Sequence, residues 1–434
     1  MGRYKLVMLA LAATLPGVFL RLSGVHINPA IASLIYGLAI VGSSFMLAWG
    51  AEVAQHDIPQ ALALTILALI AVLPEYAVDM YLAFQAGRDP SSNYGELALA
   101  NMTGANRLLI GIGWPAVVFL FWWSSRRKGA RVSEVKLDDG QGVELIFLGV
   151  ATIYSFILPF KANLSIFDMV LLVALFGLYA WRASQANHVE PDLIGPAKVI
   201  GELPDRQRRA ATMGLFVVAA AVILLVAEHF AESLIETGAS FGIDEFFLVQ
   251  WLAPLASESP EFIITGLFAW RLQAAAGLGA LVSSKVNQWT LLVGMIPLVY
   301  SFGAGRIAQL PLSETQQSEL LLTSAQSFFA VAVISNLRMS LLEAVLLLVL
   351  FLGQFFIPGS HGVFTVIYLV LGLVFLFINR QSLYSIGRGV MTATEGRRGS
   401  RHADGSAWSG PGPKDTSHTL PTKETRHTEA PGRE

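Results

Sequence analysis

The chain has 434 residues, of which 54% are hydrophobic and only 14% charged. Soluble domains carry about 25% charged residues, so the composition is that of an integral membrane protein and excludes a soluble globular one. The charge balance, 29 basic against 31 acidic side chains, comes with no basic face interleaved with stacking aromatics, so nucleic acid is not an expected partner. The absence of cysteine excludes disulfides and Cys-held metals.

A helix needs about 20 apolar residues to span a bilayer core of about 30 Å. Runs of that kind lie near 4–21, 28–52, 60–86, 94–123, 142–160, 163–184, 209–237, 244–271, 274–302, 317–336, 338–357 and 361–379, twelve in all. The first begins with Arg3 and Lys5 like a signal peptide. It continues through Pro16 to Leu20 without a small-x-small cleavage pattern, and reads as a retained helix.

Loop charges divide by side. One side holds Arg3, Lys5, Arg126, Arg127, Lys128, Arg131, Lys136, Arg182, Lys198, Arg206, Arg208, Arg209, Arg271 and Arg338; the other holds only Arg21, Arg88, Lys161 and Arg306. The positive-inside rule then expects both termini in the cytoplasm of a plasma (cell inner) membrane. An even number of spans agrees.

The third run carries Leu73-Pro74-Glu75 in its middle, and the eighth carries Ser259-Pro260-Glu261 at the matching place. Proline removes a backbone donor, so each helix is expected to kink or break there. A carboxylate at membrane depth costs roughly 2.5–3.5 kcal/mol on insertion scales, and such residues are functional by default. Downstream, Ala98 to Val117 lies over Ala280 to Val299, matching Ala98 with Ala280, Leu109 with Leu291 and Pro115 with Pro297. Five spans per copy is an odd number, so the second copy sits upside down. Interrupted helices in inverted repeats are the best sequence pointer to a transporter site at the midplane.

The expected organisation is an all-α polytopic protein. An extra N-terminal helix occupies 1–27, a first repeat 28–184, a cytoplasmic linker 185–208, a second repeat 209–357 and an extra C-terminal helix 358–384. The tail 385–434, rich in Gly, Ser, Thr, Pro and charge, is expected to be disordered.

These motifs resemble those of the calcium/cation antiporter superfamily, which includes the sodium/calcium exchangers and cation/proton relatives. Each repeat of that family has a G-T-S-x-P-E motif followed by G-N-x-x-G-S-N. Here the first copy reads Ile70-Ala71-Val72-Leu73-Pro74-Glu75, then Ala100-Asn101-Met102-Thr103-Gly104-Ala105-Asn106. The second reads Ala256-Ser257-Glu258-Ser259-Pro260-Glu261, then Val282-Ser283-Ser284-Lys285-Val286-Asn287-Gln288. The resemblance implies that Glu75 and Glu261 are central cation ligands, with Asn101 and Ser283 beside them. The chain departs from the pattern by lacking the first Thr-Ser pair and by placing Glu258 and Lys285 in the second copy.

By residue chemistry, Asp79 shares a helix face with Glu75, and Glu258 shares one with Glu261. Asn287 and Ser257 are further oxygen donors near the second Pro-Glu pair. These groups suit Ca²⁺, Na⁺ or protons, Ca²⁺ wanting six to eight hard oxygens. Lys285 reads either as an ion-pair partner of Glu258 or Glu261, or as a tethered cation that compensates charge when no ion is bound. Arg107 is expected to pair with an acid such as Asp79. The functional expectation is a secondary antiporter exchanging Ca²⁺ or Na⁺ for Na⁺ or H⁺, with lipid and metal cations as its partners and no cofactor. The alternative is a channel or passive pore sharing the polar midplane. No nucleophile with a base, His-x-x-x-His or phosphate loop supports an enzyme.

Overall fold

The computed structural model of the chain describes residues 4–54, 73–129, 132–185, 193–357 and 359–382. The first half of the third apolar run, with Ile70 to Val72 of its motif, lies outside the described residues, as do part of the linker and the 385–434 tail.

The described chain is helical almost throughout. Its helices are α1 (Lys5–Ser23), α2 (Pro29–Ala54), α3 (Leu73–Arg88), α4 (Tyr94–Arg127), α5 (Gly142–Ser155, continued by Ile157–Lys161) and α6 (Ile166–Ala183). After the short α7 (Gly195–Gly201) come α8 (Asp205–Phe241) and α9 (Glu245–Trp270). Next is α10, built from Ala274–Asn287, Gln288–Leu292 and Val293–Gly303. Then follow α11 (Glu314–Ile334), α12 (Leu341–Phe356) and α13 (His361–Ile378).

Among the described residues, eight helices are long and apolar enough to cross a membrane, where the sequence suggested twelve runs. The other four each have a physical reason to fall short. Only the second half of the third run is described. The eighth carries Glu245, Glu258 and Glu261; α10 carries Lys285, Asn287 and Gln288; and α12 has 16 residues. Large apolar side chains such as Phe19, Ile153, Phe167, Leu224, Leu342 and Phe377 stand exposed around the bundle. A soluble protein does not display so much apolar surface; lipid accommodates it.

Local sequence fixes several boundaries. Ser165, Ser313 and Ser340 each open a helix with a reciprocal capping box, closed by Asp168, Gln316 and Glu343. In each, the cap backbone N–H is taken up by the side chain three residues on, at 2.6 to 2.7 Å. In α4 and α10 the regular helix gives way to one π turn, at Leu109–Gly113 and Gln288–Leu292. Both turns precede a proline, Pro115 and Pro297, that removes a backbone donor. Such widened turns collect at functional sites.

Two short antiparallel strand pairs close the bundle. β1 (Glu134–Lys136) pairs with β4 (Arg338–Ser340), and β2 (Asn163–Leu164) pairs with β3 (Leu310–Pro311). Each pair takes one strand from each half of the chain. The longest helix–helix contact is that of α2 with α8, against which α1 also packs.

The expected break at Pro260 is not a break. α9 runs without interruption through Pro254 and Pro260. The reason lies beside the proline: Ser259 donates its hydroxyl to the Ala256 carbonyl at 3.1 Å. That is the carbonyl whose partner the proline removes. The carbonyl freed by Pro254 belongs to Gln250, and it meets the backbone of α4 at Gly104, where a Cβ would collide with the Gln250 oxygen. Glycine at 104 is what lets the two helices approach so closely.

Candidate cation site

α3 and α9 bring their acids together. Glu75 stands in the first described turn of α3 and is 3% exposed; Asp79, one turn on, is fully buried. On α9, Glu258 is fully buried and lies between Glu75 and Glu261, interacting with both. Glu75 also feels the charge of Glu261 and of Asp79. Carboxylates this close repel unless protons or a cation lie among them.

The neutral partners come from α4 and α10. Asn101 donates to Asp79 Oδ1 at 2.7 Å. Gln288, the first residue of the π turn, donates its side-chain amide to Glu258 Oε1. Ser284 lies against Glu261. Among the described residues, several buried oxygens have no hydrogen-bond donor: Oε2 of Glu75, Glu258 and Glu261, Oδ2 of Asp79, Oδ1 of Asn101 and Oε1 of Gln288. Leaving a buried acceptor unsatisfied costs about 1–3 kcal/mol, so six such atoms on α3, α4, α9 and α10 constitute a strong demand for a positive ligand. Among the described residues no three His, Cys, Asp or Glu side chains are arranged as a metal cage. The demand is thus spread over carboxyl and amide oxygens.

Other residues singled out in the sequence sit elsewhere. Ser283 lies near Glu144 and Tyr179 rather than beside the acids of α9. Its neighbour Ser284 takes the place beside Glu261, because one residue along a helix rotates the side chain by about 100°. Ser257 is buried, but its hydroxyl turns back to the Ala253 and Pro254 carbonyls at 3.3 and 3.2 Å. Asn287 is buried. Lys285 is fully buried and donates to Asn106 Oδ1 at 2.6 Å, with its ammonium 4.4 Å from the centre of the Trp289 ring. Glu258 is near enough to interact with it through space.

Arg107 does not pair with Asp79. It bonds Glu319 of α11 at 2.5 Å and stacks 5.0 Å over Trp251. Glu319 also accepts from Gln250 at 3.1 Å and lies 3.3 Å from the His361 ring. Sequence reasoning passed over Gln288 and Ser284 as site residues. The signal was present for Gln288, which occupies the repeat position of Asn106, and Ser284 and Gln288 share a face at i, i+4.

Residues 29–184 and 211–358 match the family described as sodium/calcium exchanger protein. The chain belongs to that family. Among solved structures, the exchanger is similar to the H⁺/Ca²⁺ exchanger CAX, with 42% identity over 89% of this chain and 96% of the other, at a TM-score of 0.84. It shares its fold with YfkE, with 14% identity over 83% of this chain and all of that one, at a TM-score of 0.58. No curated protein matches it. Membership makes this exchanger an integral membrane transporter of cations, helical and embedded in lipid.

Proposed function

We propose that the protein exchanges Ca²⁺ for protons across a membrane, by alternating access around Glu75, Glu258 and Glu261. The observation that carries this reading is the contact of these three carboxyls, from both halves of the chain, with an unsatisfied oxygen on each. Similarity to an H⁺/Ca²⁺ exchanger over most of the chain supports the choice of ions. In one state Ca²⁺ offsets the carboxylates; in the other, protons do. Asn101, Asp79, Gln288 and Ser284 contribute further oxygens or hold the acids in place. Lys285 is anchored on Asn106 and Trp289 beside the acids and is not an occupant of the pocket.

The two halves, 28–184 and 209–357, act as inverted repeats, with α1 and α13 outside them. The crosswise strand pairs and the π turns at related places support that reading. The loop charges support an orientation with both termini in the cytoplasm of a plasma membrane. The α1, α2 and α8 group rocks against the remainder to expose the site to each side in turn.

The test is Ca²⁺ uptake into inverted membrane vesicles driven by a pH gradient. The unsubstituted protein takes up Ca²⁺ and dissipates the gradient; Glu75→Gln, inserted at equal level, does neither. Full uptake by Glu75→Gln, or uptake indifferent to the proton gradient, overturns the reading, the latter in favour of a passive pore.

A further inference from the structure

α4 and α9 end side by side, and each ends in tryptophan and arginine. α9 packs along α4, and the Ser124 hydroxyl donates to the carbonyl of Trp270, the last residue of α9. A helix leaves its final carbonyls without partners of its own, so this bond fixes one helix end against the other. Arg126 stacks over Trp122 at 4.4 Å and Arg127 over Trp123 at 5.6 Å, each pair four residues apart on one helix face. Arg127 also stands 5.5 Å from the centre of the Trp270 ring. Its guanidinium is therefore held by two indoles, one from each helix.

Stacking occupies the flat faces of a guanidinium and leaves its edge N–H groups free to donate, in the fork that matches a phosphate. Lys128 and Arg271 follow directly on the two helices, and all four cations are exposed. Among the described residues none of the four has a carboxylate partner. Glu134, the first acid after Lys128 in the chain, is taken by Lys136 and Arg338 at 3.5 Å. Beside the cations the surface is apolar. Ile263, Leu267 and Trp270 are exposed and share one face of α9, spaced by four and three residues. An oily strip that runs up to unpaired cations has the outline of a phospholipid, with acyl chain along the helix and phosphate at its end. Tryptophan collects at this depth of a membrane, and basic clusters at the membrane end of a helix attract anionic headgroups. A free phosphate ion would use the cations and leave the strip idle.

We propose that the joined ends of α4 and α9 bind one anionic phospholipid, its phosphate on Arg127 and its acyl chain along Ile263 and Leu267. Arg127, clamped between Trp123 and Trp270, presents its edge to the phosphate. Arg126, Lys128 and Arg271 supply the charge that favours a net negative headgroup over a zwitterionic one. The bound lipid straps the end of α4 to the end of α9. Asn101 stands on the first of these helices, Glu258 and Glu261 on the second, so the strap bears on the two helices that frame the candidate site. The inference does not depend on which ions are exchanged.

The experiment uses the full chain in detergent, titrated with phosphatidylglycerol or with phosphatidylcholine of the same acyl chains, and bound lipid is counted by native mass spectrometry. The unsubstituted protein holds one phosphatidylglycerol about tenfold more tightly than phosphatidylcholine. Arg127→Gln removes most of that preference. Arg127→Lys keeps the charge, loses the planar fork and retains only part. Arg126→Gln lowers the preference by less, and tests the same site without touching the contact between α4 and α9. Lys136→Gln, on the same face but paired with Glu134, leaves it unchanged. Phosphatidylglycerol raises the unfolding temperature of the unsubstituted protein and not that of Arg127→Gln, as a strap requires. Equal retention of the two lipids, or full preference in both Arg127→Gln and Arg126→Gln, overturns the proposal. So does displacement of the lipid by millimolar inorganic phosphate, which assigns the site to the free ion.

Discussion

Gln288 donates its side-chain amide to Glu258, so the π turn of α10 is tied directly to the middle acid of the cluster. Glu258 in turn lies between Glu75 and Glu261. The amide removes one of the options open to Glu258 and turns its other oxygen toward the neighbouring carboxyls. Gln288→Leu keeps the volume and loses the donor. Ca²⁺ exchange is expected to fall about tenfold or more, since a bond to a charged group contributes about 1.5–3 kcal/mol. Gln288→Glu falls further, because it adds a like charge. Initial rates in vesicles at matched protein level check both.

Lys285 is expected to set the pH at which the site takes up metal. Whenever it carries its proton, the ammonium favours the ionised form of nearby Glu258, and Ca²⁺ binds the ionised form. Lys285→Met removes that help, so the curve of Ca²⁺ binding against pH moves to higher pH. Lys285→Arg keeps the charge and moves it less. A curve that stays in place for Lys285→Met shows that the lysine only anchors Asn106 and Trp289. Titration of Ca²⁺ binding in detergent across pH decides.

Arg107 and Glu319 are both nearly inaccessible and bond at 2.5 Å. Removing one member of such a pair leaves a buried charge and costs about 3–5 kcal/mol. Arg107→Met is expected to lower thermal stability in detergent sharply. Arg107→Met combined with Glu319→Gln recovers most of the loss, because the neutral amide still accepts from Gln250. Equal destabilisation by the single and double variants contradicts this account.

Gly104 faces the carbonyl of Gln250, and the obstacle there is backbone, which does not rotate away. Gly104→Ala is expected to destabilise the protein by about 1–3 kcal/mol through overpacking. Because α4 and α9 both carry residues of the candidate site, the same change is expected to displace Asn101 from Asp79 and reduce exchange. Thermal unfolding and transport rates on the same sample measure the two effects.

The acids of the site were legible because a membrane makes them conspicuous. Glu75, Asp79, Glu258 and Glu261 stand out against apolar surroundings without any knowledge of the fold. What the sequence left open was angular and long-range. Ser283 and Ser284 are adjacent and chemically identical, and only the packing of α10 decides which one meets Glu261 and which meets Glu144. Arg107 has acids nearer in sequence than Glu319, yet α11 delivers its partner. Pro260 signals a break by its missing donor, but Ser259 supplies a hydroxyl to the orphaned carbonyl and α9 continues. The expected count of twelve spans is not confirmed: eight described helices are long and apolar enough, while buried acids on α9 and the lysine and amides on α10 lower the apolarity of helices that carry the candidate site.

The strand pairs at the ends of the bundle have a consequence for how the protein is made. β1 emerges early, but its partner residues, Arg338 to Ser340, are synthesised only near the end of the helical region. β2 likewise waits for Leu310 and Pro311. Until then the first half holds two unpaired strand edges, one for each pair. Backbone pairing between the halves is thus complete only once Arg338 to Ser340 have been made.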